Sequence, residues 1–243
     1  MKQIFRVLLS HLILSFYSYV GGSAELSYFG PKEQEALDQA SSLLVVVSSG
    51  WGDIHGSGQI FIKRDGTFAK EGAHFPVVLG RTGMAWGIGI SDYRRLNGPN
   101  KVEGDGHSPA GFFTLNQSFG DAKIGELPFL KIAETHVCVD DSTSKFYNKI
   151  LDASAVSRDW SSFEQMKIPL YSKGIEVMHN FNRPQAKGGS CIFIHLWRNA
   201  DSATSGCTAM ADDSIQAVLA ALGPSSLFIQ LPTSEIDRLA LPF

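Results

Sequence analysis

Two stretches close together, Cys191-Ile192-Phe193-Ile194-His195-Leu196-Trp197 and Thr204-Ser205-Gly206-Cys207-Thr208, decide how this chain is read. The first is apolar, rich in β-branched and aromatic residues, and reads as a strand. Strand side chains alternate, so Phe193, His195 and Trp197 share one face, and Ile194 and Leu196 the other. A histidine inside such a strand is either a satisfied core residue or a base. The polar stretch 198–205 is long enough to turn the chain back and return Gly206-Cys207 beside His195. Glycine before the cysteine lets the backbone pass close to a substrate carbonyl. A thiol attacks a carbonyl only as thiolate, so it needs a base beside it. The pattern points to Cys207 as nucleophile and His195 as base, with the amides of Gly206 and Cys207 as oxyanion donors.

Outward from there, short β-like runs separated by turn residues recur at 43–47, 59–63, 76–79, 112–115, 136–139, 175–178 and 227–231. Many such runs predict a mostly-β single domain, a sandwich or barrel. Helices are expected at 31–40, with Pro31 in the first turn, and at 212–222. In the latter, Ile215, Val218, Leu219 and Leu222 form one buried stripe, Asp212 and Asp213 suit the N-terminal end, and Gly223-Pro224 ends it. Ser161 and Glu164 have capping-box spacing, which predicts a short helix at 162–166.

The chain has 243 residues. Lys2 and Arg6 precede an apolar run, 7–20, and Gly22-Ser23-Ala24 offers a signal-peptidase site. Cleavage after Ala24 is expected, giving an exported protein of the periplasm or cell envelope. The run is shorter than the roughly 20 residues that span a bilayer, so an uncleaved anchor is the lesser alternative. The expected organisation is a signal peptide at 1–24, a lead-in helix at 25–42 and one catalytic domain at 43–243. Net charge is −3 with no basic block, which argues against a nucleic-acid partner. Contact with membrane is expected only through the export signal. The hydrophobic fraction of 44% supports a packed core.

Cys138 and Cys191 sit in strand-like surroundings and read as two buried thiols or as one disulfide, with buried thiols favoured. Cys207 is the odd one out. Among the other histidines, His179 ends a strand beside Asn180 and is next in line as a site residue. His11 lies in the signal segment, His55, His74 and His107 in glycine-rich or polar stretches, and His136 before a strand. Glu103 and Asp105 lie in a glycine-rich turn and read as structural rather than as a glycosidase pair. Asp140 and Asp141, near His136, read as surface carboxylates, since no second cluster has metal-ligand spacing. No metal and no cofactor are expected.

Three stretches carry a resemblance to a family: Glu103-Gly104-Asp105-Gly106-His107-Ser108-Pro109-Ala110-Gly111-Phe112-Phe113, the strand pair Ile194-His195, and Thr204-Ser205-Gly206-Cys207. In order and kind they resemble the L,D-transpeptidase catalytic domains that cross-link bacterial peptidoglycan, over about residues 43–231. Gly83-Met84-Ala85-Trp86-Gly87, Cys138-Val139-Asp140-Asp141, His179-Asn180 and Gly206-Cys207-Thr208-Ala209-Met210 resemble a divergent branch. The resemblance implies a single-domain, mostly-β, sandwich- or barrel-like fold with a few short helices. It implies a monomer acting on peptidoglycan stem peptides through a Cys207 thioester, forming 3→3 cross-links or exchanging the terminal D-amino acid. Hydrolysis of the same bond by an L,D-carboxypeptidase is the alternative, or a wall-binding module without activity. Where the family has glycine after the histidine this chain has Leu196; where it has histidine before Gly-Cys it has Ser205; where it has arginine two residues after the cysteine it has Ala209. Arg198 is the expected replacement, lining the substrate site with Gly206, Ser205 and His179.

Overall fold

The computed structural model describes residues 29–237; the expected signal segment, 1–24, and His11 lie outside the described residues. Helix α1 (Pro31–Gln39) begins with proline in its first turn, and Glu33 Oε2 accepts the Gly30 N–H at 3.0 Å. That carboxylate satisfies a donor that the helix itself leaves unpaired.

Thirteen strands follow in the described residues: β1 (Ser42–Ser48), β2 (His55–Arg64), β3 (Thr67–Val78), β4 (Met84–Trp86), β5 (Ser108–Gly120), β6 (Phe129–Lys131), β7 (His136–Cys138), β8 (Ile150–Asp152), β9 (Glu164–Gln165), β10 (Lys173–Val177), β11 (Phe193–Leu196), β12 (Thr208–Met210) and β13 (Leu227–Pro232). Helices α2 (Asp212–Ala221) and α3 (Thr233–Ile236) flank β13. Eight strands close into a ring in the order β10-β11-β12-β3-β2-β1-β13-β5, with β5 pairing back onto β10. Closure leaves no open sheet edge in that ring. The strands β4 and β6 run parallel to β5, and β8-β7-β9 form a separate small sheet. The mostly-β single domain with a few short helices is therefore what the chain builds.

Most expected elements are present, several of them longer than the apolar pattern indicates. The largest extension is β3. It carries Lys70, Glu71 and His74, exposed and polar, yet it ladders along β2 from Thr67 to Val78. Residues 162–166 are not a helix. Glu164 and Gln165 pair with Cys138 and Val137 instead, and Met166 is fully buried. The ladder to β7 supplies bonds and burial that one isolated helical turn does not.

The main core includes Leu43, Leu44, Phe112, Ile194, Ile215 and Phe228. A second cluster lies on the other side of β11 and holds Phe119, Met166, Tyr171, Phe193 and all three cysteines. Cys138 and Cys191 are not free thiols: they form a disulfide across 53 residues. Folding brings β7 beside the segment that leads into β11, which sequence distance conceals. The bond ties the small sheet to that segment. Its reduction, or a Cys138→Ser/Cys191→Ser pair, is expected to cost about 2–4 kcal/mol, from the lost restraint on the unfolded chain. Urea unfolding with and without reductant checks this; an unchanged midpoint would contradict it.

Candidate active site

The site is built where β11 meets β12. The two run parallel, with Ile194 opposite Thr208, His195 opposite Ala209 and Leu196 opposite Met210. Cys207 directly precedes β12, so it shares a face with Ala209, and hence with Phe193 and His195. Phe193 donates its N–H to Cys207 Sγ at 3.3 Å, and the thiol points to the Cys191 carbonyl at 3.5 Å. Ile194 faces the main core, as the alternation requires. The connection 197–207 thus turns back as expected and sets Cys207 diagonally across from His195.

The turn that carries Cys207 is held at several points. Thr204 Oγ1 donates to the Cys207 carbonyl at 2.6 Å and accepts the Gly206 N–H at 3.1 Å. Ser108 Oγ donates to the same Cys207 carbonyl at 2.9 Å. Gly206 has φ +150°, and a Cβ there would lie 3.0 Å from the His107 carbonyl oxygen. Conformation and space together demand glycine. The Gly206 amide, one of the two expected oxyanion donors, is bonded to Thr204 Oγ1 and does not point freely into the site.

His195 and Cys207 both line a cavity of about 620 Å³, together with Ser205, Gly206, Arg198 and Arg81. They lie deep in it, with 5% and 7% of their surfaces exposed. The His195 Nδ1 lies 2.7 Å from the Leu196 carbonyl. A carbonyl only accepts, so Nδ1 carries the proton and Nε2 keeps its lone pair. Burial, opposed by that bond, lowers the His195 pKa to about 4. Burial, reinforced by the charge of Glu164 and opposed by the Phe193 N–H, raises that of Cys207. The resting pair is neutral imidazole and neutral thiol, not an ion pair.

Sequence reasoning missed the side chains that surround this pair. Tyr171, in the 3₁₀ turn Pro169–Tyr171, packs edge-on against His195 with ring centroids 5.0 Å apart. Its hydroxyl donates to Glu164 and also interacts with Cys207. Burial holds the Glu164 carboxyl above its ordinary range, against that hydrogen bond. Lys101 is buried in the cavity wall and paired with Asp105 at 2.6 Å. They come from segments far apart in the chain, and the one local pattern among them, the capping-box spacing of Glu164, points to a helix rather than to the site.

His179 does not line the cavity with the other expected residues. Its Nδ1 accepts from the Ile88 N–H at 3.2 Å and its Nε2 donates to the Gly188 carbonyl at 3.0 Å. Both ring nitrogens are engaged and the ring is buried, so the residue braces two loops rather than meeting a ligand. Glu103 accepts from Tyr147 and from Ser190, and Asp105 from Lys101 and two backbone amides. These bonds make both carboxylates part of the scaffold.

In sequence, neither a family model nor a curated protein matches the chain. Among solved structures, the helical cell shape determining protein Pgp2 from Campylobacter jejuni is similar at 13% identity and a TM-score of 0.42, over 79% of this chain and 48% of that one. Its K307A mutant is similar at 14% identity and a TM-score of 0.40, over 79% and 47%. The chain spans about half the length of either.

Alkylation tests the electrostatics of the free site. With Cys138 and Cys191 bonded, iodoacetamide is expected to modify Cys207 slowly at pH 7. The rate should still be rising above pH 9, beyond the ordinary thiol value of about 8.5. A half-point at or below neutral pH would contradict the neutral resting pair.

Proposed function

We propose that this protein is an exported cysteine acyltransferase acting on peptidoglycan stem peptides, in the manner of an L,D-transpeptidase. One observation carries the proposal. A thiol and an imidazole sit on the same face of adjacent parallel strands, and both line one cavity. In this reading residues 43–243 are the catalytic domain, 25–42 a lead-in and 1–24 the export signal. The protein acts in the periplasm or cell envelope.

The step follows from the tautomer. His195 Nε2 takes the proton of Cys207 as Sγ attacks the carbonyl of the third stem residue. The Phe193 N–H, already 3.3 Å from the sulfur, stabilises the anionic charge as it forms. The Cys207 amide is the proposed donor to the oxyanion. Collapse breaks the C–N bond, the proton passes from His195 to the departing D-alanine amine, and a thioester remains. An amine from a second stem then attacks it, and the thiol recovers its proton. Water in place of the amine gives the carboxypeptidase outcome.

Burial explains why the resting groups are neutral and why that suits the step. In a low-dielectric cavity, an isolated thiolate and imidazolium are costly. Attack on the carbonyl moves the charge on to oxygen without leaving it on sulfur. Ser205, Gly206 and Arg198 line the same cavity as the thiol and are proposed to contact the peptide.

The test is turnover of a synthetic stem tetrapeptide, with and without an acceptor amine, followed by chromatography. Cys207→Ala is expected to abolish release of D-alanine with the fold intact. His195→Ala is expected to slow it by about 10²–10⁴ at neutral pH. Release by the Cys207 variant would end the nucleophile assignment, and an unaltered rate for the His195 variant would end that of the base. The product formed with acceptor present separates transfer from hydrolysis.

A further inference from the structure

Resting on that acyl-transfer reading, we propose that Arg81 reads a free carboxylate on the ligand, restricting the site to peptide chain ends rather than internal bonds. The cavity wall carries three cationic side chains, Arg81, Lys101 and Arg198. Lys101 is neutralised by Asp105. Among the described residues, neither arginine has a carboxylate within ion-pairing distance. The acidic groups of the wall are Glu103, Asp140 and Glu164. Glu103 takes the Tyr147 and Ser190 hydroxyls, and Glu164 that of Tyr171. Asp140 keeps one buried oxygen without a partner. None of the three answers the charge of Arg81.

Arg81 is also held in place. Its backbone N–H donates to the Thr204 carbonyl at 2.9 Å, and Thr204 Oγ1 in turn bonds the Cys207 carbonyl. Its guanidinium donates to the Gly104 carbonyl at 3.0 Å. The side chain packs against Gly106, where an added Cβ would fall 2.7 Å from Cζ. Gly106, at φ +77°, gives the guanidinium that seat. The anchor uses one arm of the fork, and the remaining donors match the two oxygens of a carboxylate. An arginine fixed before the ligand arrives loses little entropy on binding it. Both arginines are exposed at the cavity rim; Arg198 differs in that, among the described residues, no hydrogen bond anchors its side chain, whereas Arg81 has its bond to Gly104.

The geometry therefore ties the carboxylate reader to the nucleophile. The same turn that presents Cys207 to a carbonyl fixes the segment that presents Arg81. In the proposed binding mode, the scissile carbonyl meets the sulfur and the free carboxylate of the last residue meets Arg81 in the same cavity. An amide or a longer chain in that place lacks the charge.

The experiment measures binding by calorimetry, so that it does not depend on turnover. The protein, with its disulfide intact, carries Cys207→Ala; the ligands are a stem tetrapeptide as free acid and as C-terminal primary amide. The free acid is expected to bind about tenfold or more tightly, as a charged hydrogen-bonded pair predicts. Adding Arg81→Ala should bring the two ligands level. Arg81→Lys should restore part of the preference, because the charge remains and the fork does not. Arg198→Ala should leave it in place. Equal binding of acid and amide by the single variant, binding of neither, or a preference that survives Arg81→Ala would each overturn the assignment. Intact mass of the wild type with the free acid keeps the two claims apart. A preserved, Arg81-dependent preference without a thioester would sink the acyl-transfer reading and leave the carboxylate reader standing.

Discussion

The register between β11 and β12 is the constraint on which the site depends. With His195 opposite Ala209, Cys207 falls on the face of Phe193 and His195, and the Phe193 N–H meets its sulfur. A slip of one residue would turn the thiol to the opposite face, into the main core with Ile194. The register is pinned from both sides. Gly174 pairs with His195 from β10, and Val77 and Val78 pair with Met210 and Ala209 from β3. Since β10 and β3 are both members of the closed ring, moving the pair by one step would require the ring to shift with it.

Around that register the structure adds a cover. The small sheet β8-β7-β9 contributes Glu164 and, through the disulfide, grips Cys191 just before β11. Cys191 has φ +53° and donates its N–H to Asn148 Oδ1 at 2.9 Å. Its carbonyl receives the thiol of Cys207. An unfavourable backbone conformation beside the sulfur is therefore fixed by a covalent bond and a buried hydrogen bond together. Cys138 of this sheet packs in one cluster with Cys207, and burial disfavours the charged form of both His195 and Cys207.

Much of this was legible in the chain. The alternation across 191–197, the apolar stripe Ile215, Val218, Leu219 and Leu222, and the glycine before Cys207 depend on local periodicity and backbone freedom, which sequence reports directly. The polar half of β3 escaped because its strand state comes from laddering on β2, not from its own residues. Residues 162–166 misled because capping-box spacing is a local signal, overridden by pairing with β7. The disulfide was misjudged because sequence holds no distance between Cys138 and Cys191. His179 read as a site residue, yet its nitrogens are consumed by Ile88 and Gly188. Arg81, Glu164 and Tyr171 were invisible because each reaches the cavity from a segment whose approach is set only when the ring closes.

The central claim is that Cys207, assisted by His195, accepts an acyl group from a peptide. Its most direct test is intact-mass spectrometry of the protein mixed with a stem tetrapeptide and quenched in acid, followed by mapping of the adduct. The account predicts a mass gain equal to the tripeptide acyl group, located on Cys207 and released by hydroxylamine as a thioester should be. No adduct under conditions where the peptide binds, or an adduct on any other residue, would contradict it.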